Sequence, residues 1–400
     1  MRGVMGLADP VRAAEARIRV AIVDDSVVVR GLFSRWLSEV ADVDIVGIHR
    51  NGVEAVRQVG LTKPDIIILD IEMPEMDGLT ALPLLLHASP ASRVLVVSSM
   101  SIRGADVTLR CLMRGATDYL PKPSGMREVT TSVDFRAELV QRVQVLGRRK
   151  EPSSTSANAS GPDIQPVAPV YPSSAEQDVS AVASMPPDLP AHPPVHGTIA
   201  LRASSPVPPR LIVIGASTGG PQAVASLLAA AGPALRDLPV VVVQHMPATF
   251  TMLFADHLRR QAGLDAVEIG GGEMLHPGRI HVVRGGQNLI LTASGGRFLA
   301  RRFDGPPPGR WMPSVDLLLA SASDVAGRNV LALVLTGMGD DGLRGAQAIV
   351  QAGGTVMVQD EASSAVWGMP AVVARAGLAS AIVDLPTMAS LIHQQVQKPS

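Results

Sequence analysis

Ser217 sits where a chain could lift a hydroxyl into position for nucleophilic attack. Leu211-Ile212-Val213-Ile214 runs into Gly215-Ala216-Ser217-Thr218-Gly219-Gly220, and a helical pattern then opens with Pro221 in its first turn. A buried strand, a Gly-x-Ser-x-Gly turn and a helix start expose a serine at a sheet edge, with backbone N–H groups free to hold an oxyanion. Gly-rich strand–helix turns also bind phosphate or merely turn the chain, so the serine must be judged by its partners. A serine nucleophile needs a base and an acid to orient that base. Of His245, His257, His276, His281 and His393, only His245 directly follows a strongly apolar stretch, residues 240–243. His257 falls on an amphipathic helix, and His276 and His281 flank a turn and a strand. For the acid, the strand expected at 330–335 leads into Thr-Gly-Met-Gly-Asp-Asp-Gly, where spacing does not separate Asp340 from Asp341. Asp316, in Pro-Ser-Val-Asp, reads as the first turn of a helix capped by Ser314. The resulting order Ser, His, Asp differs from the Ser, Asp, His order of α/β-hydrolases, so the serine motif does not place the chain among them.

A second set of reactive residues lies in the first third of the chain. Asp24 and Asp25 follow the first apolar run, Asp70 ends the third, Ser98 ends the fourth, and Lys122 follows the fifth. In a doubly wound sheet, groups at the carboxyl ends of the strands share one crevice. Carboxylates gathered there repel one another and call for a divalent cation with oxygen ligands, Mg²⁺ being the natural choice. Lys122 can pair with a phosphoryl oxygen. Acidic helix caps and a surface lysine would explain each residue singly but not their common edge.

The elements that must carry these residues follow from alternation of apolar runs and helical patterns. Strands are expected at 18–23, 43–48, 65–69, 93–97 and 117–120, which gives five βα units and a parallel sheet covered on both faces. The alternation stops at 148–209, a stretch crowded with proline, alanine and serine that reads as a disordered, partly polyproline linker. It resumes with strands expected at 210–214, 240–243, 279–283, 330–335, 355–358 and 381–383. The expected organisation is two α/β domains, 18–147 and 210–397, preceded by a disordered extension of 17 residues. A formal net charge of −1 argues against nucleic acid or a membrane surface as the main partner. The single cysteine, Cys111, excludes an internal disulfide and fits a reducing cytoplasm. No apolar run approaches the roughly 18 residues needed to span a bilayer.

Val-Asp-Asp-Ser at 23–26, Leu-Asp-Ile-Glu-Met-Pro-Glu-Met-Asp-Gly at 69–78, Ser98-Ser99 and Lys122-Pro123 together resemble the response-regulator receiver domain. That resemblance implies a flavodoxin-like fold of five parallel strands and phosphorylation of Asp70 by a histidine kinase. It implies Mg²⁺ held by Asp25, Asp70 and the backbone of Glu72 with Asp24 nearby, and Ser98 and Tyr119 as the pair that rearranges on phosphorylation. In the second half, 214–220, Gln-His-Met-Pro at 244–247, Asp-Gly-Pro-Pro at 304–307, Pro-Ser-Val-Asp at 313–316 and 335–342 resemble the chemotaxis protein-glutamate methylesterases, which are also glutamine deamidases. So do Glu-Ala-Ser at 361–363 and Gly-Met-Pro at 368–370. The resemblance implies a doubly wound parallel-sheet domain with Ser217 as nucleophile, His245 as base and Asp341 as orienting acid, and it makes Thr218 and the N–H of Met338 candidates for the oxyanion site. It implies no cofactor for the esterase, and methylated chemoreceptor cytoplasmic domains as substrate. Where that family commonly has polar or basic residues before Pro-Ser-Val-Asp, this chain has Trp311-Met312. The rival from another class is a signalling module whose second domain binds a partner without catalysis; an intact Ser, His and Asp set weighs against it. A DNA-binding output is disfavoured by the near-neutral second half.

Overall fold

The computed structural model describes residues 17–99, 101–123, 132–147, 199–306 and 309–398. The extension before residue 17 and the linker residues 148–198 lie outside them.

Both expected parallel sheets form. In the first domain the strands are β1 (Ile18–Val23), β2 (Val43–His49), β3 (Ile66–Asp70), β4 (Arg93–Ser99) and β5 (Asp118–Lys122), in the order β2-β1-β3-β4-β5. Strand β3 is buried along its whole length, as its unbroken Ile-Ile-Ile-Leu run demands of a strand covered on both faces. The connecting helices are α1 (Val27–Ser38), α2 (Gly52–Thr62), α3 (Gly78–Ala88) and α4 (Ile102–Met113), with α5 (Val133–Gly147) after β5. Helices α1 to α4 start at Ser26, Asn51, Asp77 and Ser101, whose side chains each accept a first-turn backbone N–H.

In the second domain seven parallel strands stand in the order β14-β13-β12-β6-β7-β9-β8. They are β6 (Leu211–Ala216), β7 (Val240–Gln244), β8 (Asp265–Ile269), β9 (Arg279–Val283), β12 (Val330–Val334), β13 (Thr355–Gln359) and β14 (Ala381–Val383). Central β6 alternates its buried side chains between the two faces. Ile212, Ile214 and Ala216 join the core beneath α6 (Gly220–Ala231), α7 (Ala248–Ala262) and α11 (Leu385–Val396). Leu211 and Val213 face α8 (Val315–Ala326), α9 (Leu343–Gln351) and α10 (Met369–Arg375). The chain leaves β6 toward β7 on one side and reaches β12 on the other, which opens a crevice at the carboxyl ends of β6 and β12, where such folds place their ligands.

Three strands were not anticipated. Strand β8 is a short edge strand with mixed burial, and its Asp-Ala-Val-Glu-Ile carries no apolar run. Strands β10 (Leu289–Ser294) and β11 (Arg297–Arg302) form an antiparallel hairpin with one wetted face, so their signal is alternation and not a continuous apolar stretch. Gly295 and Gly296, both at positive φ, make the two-residue turn that joins them.

The described end of the expected linker, residues 199–209, is bonded to the second domain, with Ser205 and Pro209 buried although residues 200–203 are exposed. Arg202 N–H donates to the Ala379 carbonyl at 2.9 Å, and buried Ser205 donates its N–H to Thr355 Oγ1 and its hydroxyl to the Arg328 carbonyl, both at 2.9 Å. These bonds satisfy backbone groups beside β13 that would otherwise be left bare. Helix α4 of the first domain packs against α6 and α7 of the second. No helix among the described residues is long and apolar enough to cross a membrane.

Candidate active site

Strand register brings the serine and histidine together. Ala216 pairs with Gln244 and Gly215 with Val334, so the residues that follow, Ser217, His245 and the turn after Leu335, meet at one sheet edge. His245 N–H donates to the Ala216 carbonyl at 3.1 Å, and Ser217 N–H donates to the Thr336 carbonyl at 3.0 Å. The serine turn needs Gly219, which sits at φ 74° and whose Cβ would fall 2.5 Å from the Ala365 methyl. The Ser217 carbonyl is clamped by Gln244 Nε2 at 2.9 Å, while its hydroxyl makes no hydrogen bond among the described residues.

The aspartates that spacing left unresolved are separated by burial. Asp340 is exposed; Asp341 is buried and its Oδ2 lies 2.9 Å from His245 Nε2. Asp341 also accepts the N–H groups of Val315 and Asp316, each at 2.8 Å, and the Ser314 hydroxyl at 3.2 Å. It therefore closes the N-terminus of α8, where a negative charge is favoured. Burial pushes its carboxyl up, but the His245 ring and those N–H donors outweigh burial and hold it below the usual carboxylate range. Asp316 returns the contact: its Oδ1 accepts the N–H groups of Gly342 and Gly345 at 2.8 Å, fastening the turn that carries Asp341. Burial first, and the neighbouring Asp341 charge second, raise the Asp316 carboxyl to about 7. With Nε2 engaged by Asp341, His245 Nδ1 is the nitrogen left for a serine proton; it is buried and has no partner among the described residues.

The oxyanion candidates differ in availability. The Met338 N–H makes no hydrogen bond among the described residues, whereas the Thr218 hydroxyl donates to Asp118 Oδ2 of the first domain at 2.9 Å. Asp118 in turn is paired with Arg142 of α5, and next to it Tyr119 stacks on Phe250 of α7 at a centroid distance of 4.7 Å. The remaining histidines stay outside the site. His281 is buried in β9, bonded through Nδ1 to the Val240 carbonyl and through Nε2 to the His276 N–H, and burial lowers its pKa to about 4.

In the first domain, carboxylate oxygens of Asp24, Asp25 and Asp70 lie within 4.8 Å of one another. Lys122 Nζ reaches Asp24 Oδ2 and Asp70 Oδ1, both at 2.9 Å. Burial raises the Asp70 carboxyl to about 6 against the pull of Lys122, with Asp24 adding to the rise. Glu72 accepts the Ser99 hydroxyl at 3.4 Å, and Ser98 is buried with its hydroxyl 2.6 Å from Thr108 Oγ1. Burial also pushes the Tyr119 phenol up, so it stays protonated.

Residues 212–392 match the family described as CheB methylesterase, and residues 20–134 match the response regulator receiver domain. A protein-glutamate methylesterase/protein-glutamine glutaminase of Paramagnetospirillum magneticum is 42% identical over 97% of this chain and 98% of its own length. The chain belongs to that family. A relative of the same name from Rhodopseudomonas palustris is 43% identical over 92% of this chain and 91% of its own. Among solved structures, the Thermotoga maritima CheB methylesterase catalytic domain is 32% identical, with a TM-score of 0.45, and covers 47% of this chain and 99% of its own.

Within this family member, sequence reasoning passed over Gln244 and Thr336, whose hydroxyl donates to the Thr218 carbonyl at 2.9 Å. Both are polar residues that directly end or follow apolar strands at the reacting edge, a signal that was present but read only for groups able to move protons. Asp118 carried no such signal, and Trp311, singled out in the sequence only for its place before Pro-Ser-Val-Asp, stacks on His245.

Proposed function

We propose that the chain is a phosphorylation-gated serine hydrolase that cleaves γ-glutamyl methyl esters on chemoreceptor cytoplasmic domains and deamidates particular receptor glutamines, acting in the cytoplasm during chemotaxis adaptation. The reading rests above all on the hydrogen-bonded pair of His245 and Asp341 beside the Ser217 turn. In this scheme His245 Nδ1 takes the Ser217 proton as Oγ attacks the ester carbonyl, and Asp341 keeps the other proton on Nε2. The Met338 N–H receives the tetrahedral oxyanion, joined by Thr218 once its hydroxyl is released from Asp118. His245 then returns its proton to the departing methoxy oxygen, methanol leaves, and water attacks the glutamyl ester of Ser217 by the same route. With a glutamine side chain the leaving group is ammonia.

The first domain supplies the gate. Asp70 accepts a phosphoryl group from a histidine kinase, and Lys122 pairs with a phosphoryl oxygen. The oxygen donors of Asp24, Asp25 and Asp70, with the backbone of Glu72, suit Mg²⁺, which would neutralise charge on the phosphoryl group. In the unphosphorylated chain, Asp118 holds the Thr218 hydroxyl and Tyr119 is packed on Phe250, so the receiver engages the residue next to the nucleophile. Phosphorylation adds a charge of about −1.5 to −2 and draws on Ser98 and Tyr119, which weakens this contact and shifts the balance toward an open site. No nucleic-acid partner and no membrane insertion are part of this reading.

Methanol release from methyl-labelled receptor preparations, with and without phosphodonor, tests it. The expected result is release that depends on Ser217 and rises on phosphorylation. Binding to receptors without any release would favour the non-catalytic module instead.

A further inference from the structure

Trp311 is a large side chain at the site that has no part in this scheme. Its indole lies parallel to the His245 imidazole, with centroids 4.6 Å apart and planes 9° from parallel. The Arg310 guanidinium carbon lies 4.6 Å from the same indole centroid. Trp311 Nε1 is buried with no hydrogen-bond partner among the described residues, so contacts through the ring itself hold the indole in place. Gly339, in the turn that carries Asp341, lies beside the indole: a Cβ there would sit at ordinary contact distance, 3.6 Å from Cζ2.

We propose that Trp311 is a positioning residue for the general base, fixing the plane of the His245 ring so that Nδ1 faces the Ser217 hydroxyl. The inference rests on the esterase reading above. The bond to Asp341 pins one ring atom, Nε2, and leaves the ring free to turn about that contact, because the imidazole torsion has a broad, shallow profile. A flat partner stacked on the ring removes this rotation. The same indole attracts the ring more strongly once it becomes imidazolium, as it does when the serine proton arrives. It also covers the pair: the His245 side chain is only 6% exposed, which keeps water from competing for Nδ1.

The test compares Trp311→Ala, Trp311→Leu and Trp311→Phe in the full-length phosphorylated protein, with kcat and KM for methanol release measured separately. Removing the flat face in the alanine and leucine variants is expected to lower kcat by about 10- to 100-fold and leave KM within about 2-fold, the pattern of a lost transition-state interaction. Phenylalanine keeps a stacking face and should restore most of the lost kcat. The proposal is overturned if Trp311→Ala retains kcat, if only KM rises, which would make the indole a substrate contact, or if leucine performs as well as phenylalanine, which would make bulk alone sufficient. Should the alanine variant not fold, the leucine–phenylalanine comparison decides. His245→Ala in the same assay separates the two readings. A fully active His245→Ala protein defeats the esterase reading, whereas an inactive one beside an unimpaired Trp311→Ala defeats this proposal alone.

Discussion

At the scale of single residues, the proposed chemistry rests on the buried hydrogen bond between Asp341 and His245 and on Ser217 in the neighbouring turn. Ser217→Ala and His245→Ala are each expected to lower turnover by roughly 10³-fold or more, and the double mutant little further, because parts of one unit fail together. Losses that multiply in the double mutant would separate the two residues mechanistically. Asp341→Asn should cost about 10³-fold, since an amide no longer holds the required tautomer. Exposed Asp340→Asn should retain most activity, and the same rate assay on both variants checks the assignment. Asp316 makes a different, thermodynamic prediction. Its folded pKa of about 7 stands above the ordinary 3.8, so folding favours its protonated form. Its contribution to stability is complete below the ordinary value and is lost as pH rises through about 7. Asp316→Asn, which keeps an acceptor oxygen for Gly342 and Gly345, should therefore show a smaller loss of stability than the parent between pH 5 and 8 in denaturant titrations. An unchanged pH dependence would place the parent's titration elsewhere.

At the scale of elements, two reciprocal caps hold the proposed acid in place. Asp341 closes α8, and Asp316 of α8 closes the turn before α9, so the acid is held by the very helix it stabilises. Between domains, the start of β5 meets the turn after β6 through Asp118 and Thr218. Asp118→Ala removes both the acceptor of the Thr218 hydroxyl and the partner of Arg142. The unphosphorylated rate should then rise several-fold while the phosphorylated rate changes little. A narrowing ratio of the two initial rates is the expected signature, and an unaltered ratio would mean that this contact carries no inhibition.

At the scale of the whole molecule, α4 packs on α6 and α7, and the proposed regulation would act through this interface. A fragment of residues 199–400 keeps the Arg202, Ser205 and Lys398 contacts that finish the second domain and should be active without phosphodonor. Asp70→Asn should hold the full-length enzyme near its basal rate. Initial rates of fragment and unphosphorylated full chain at equal concentration provide the check. Equal rates would mean that the receiver works by recruiting the enzyme to its receptors.

The sequence by itself determined the two sheets and the residues at their reacting edges. Unbroken apolar strands such as β3 and β6 leave no other environment for themselves, and parallel strands deliver the groups that follow them to one edge. It could not find β8 or the β10–β11 hairpin, whose half-wetted alternation is weak over five or six residues. Nor could spacing tell Asp340 from Asp341, which only the family resemblance singled out, because burial of one and exposure of the other depend on where α8 begins, 25 residues earlier for Asp316. Only the tertiary structure decided which nitrogen of His245 faces its acid, that Trp311 covers the ring, and that Asp118 reaches Thr218 across a separation of 100 residues. Each of these is a contact between elements distant in the chain, and local pattern carries no information about the partner that packing will supply.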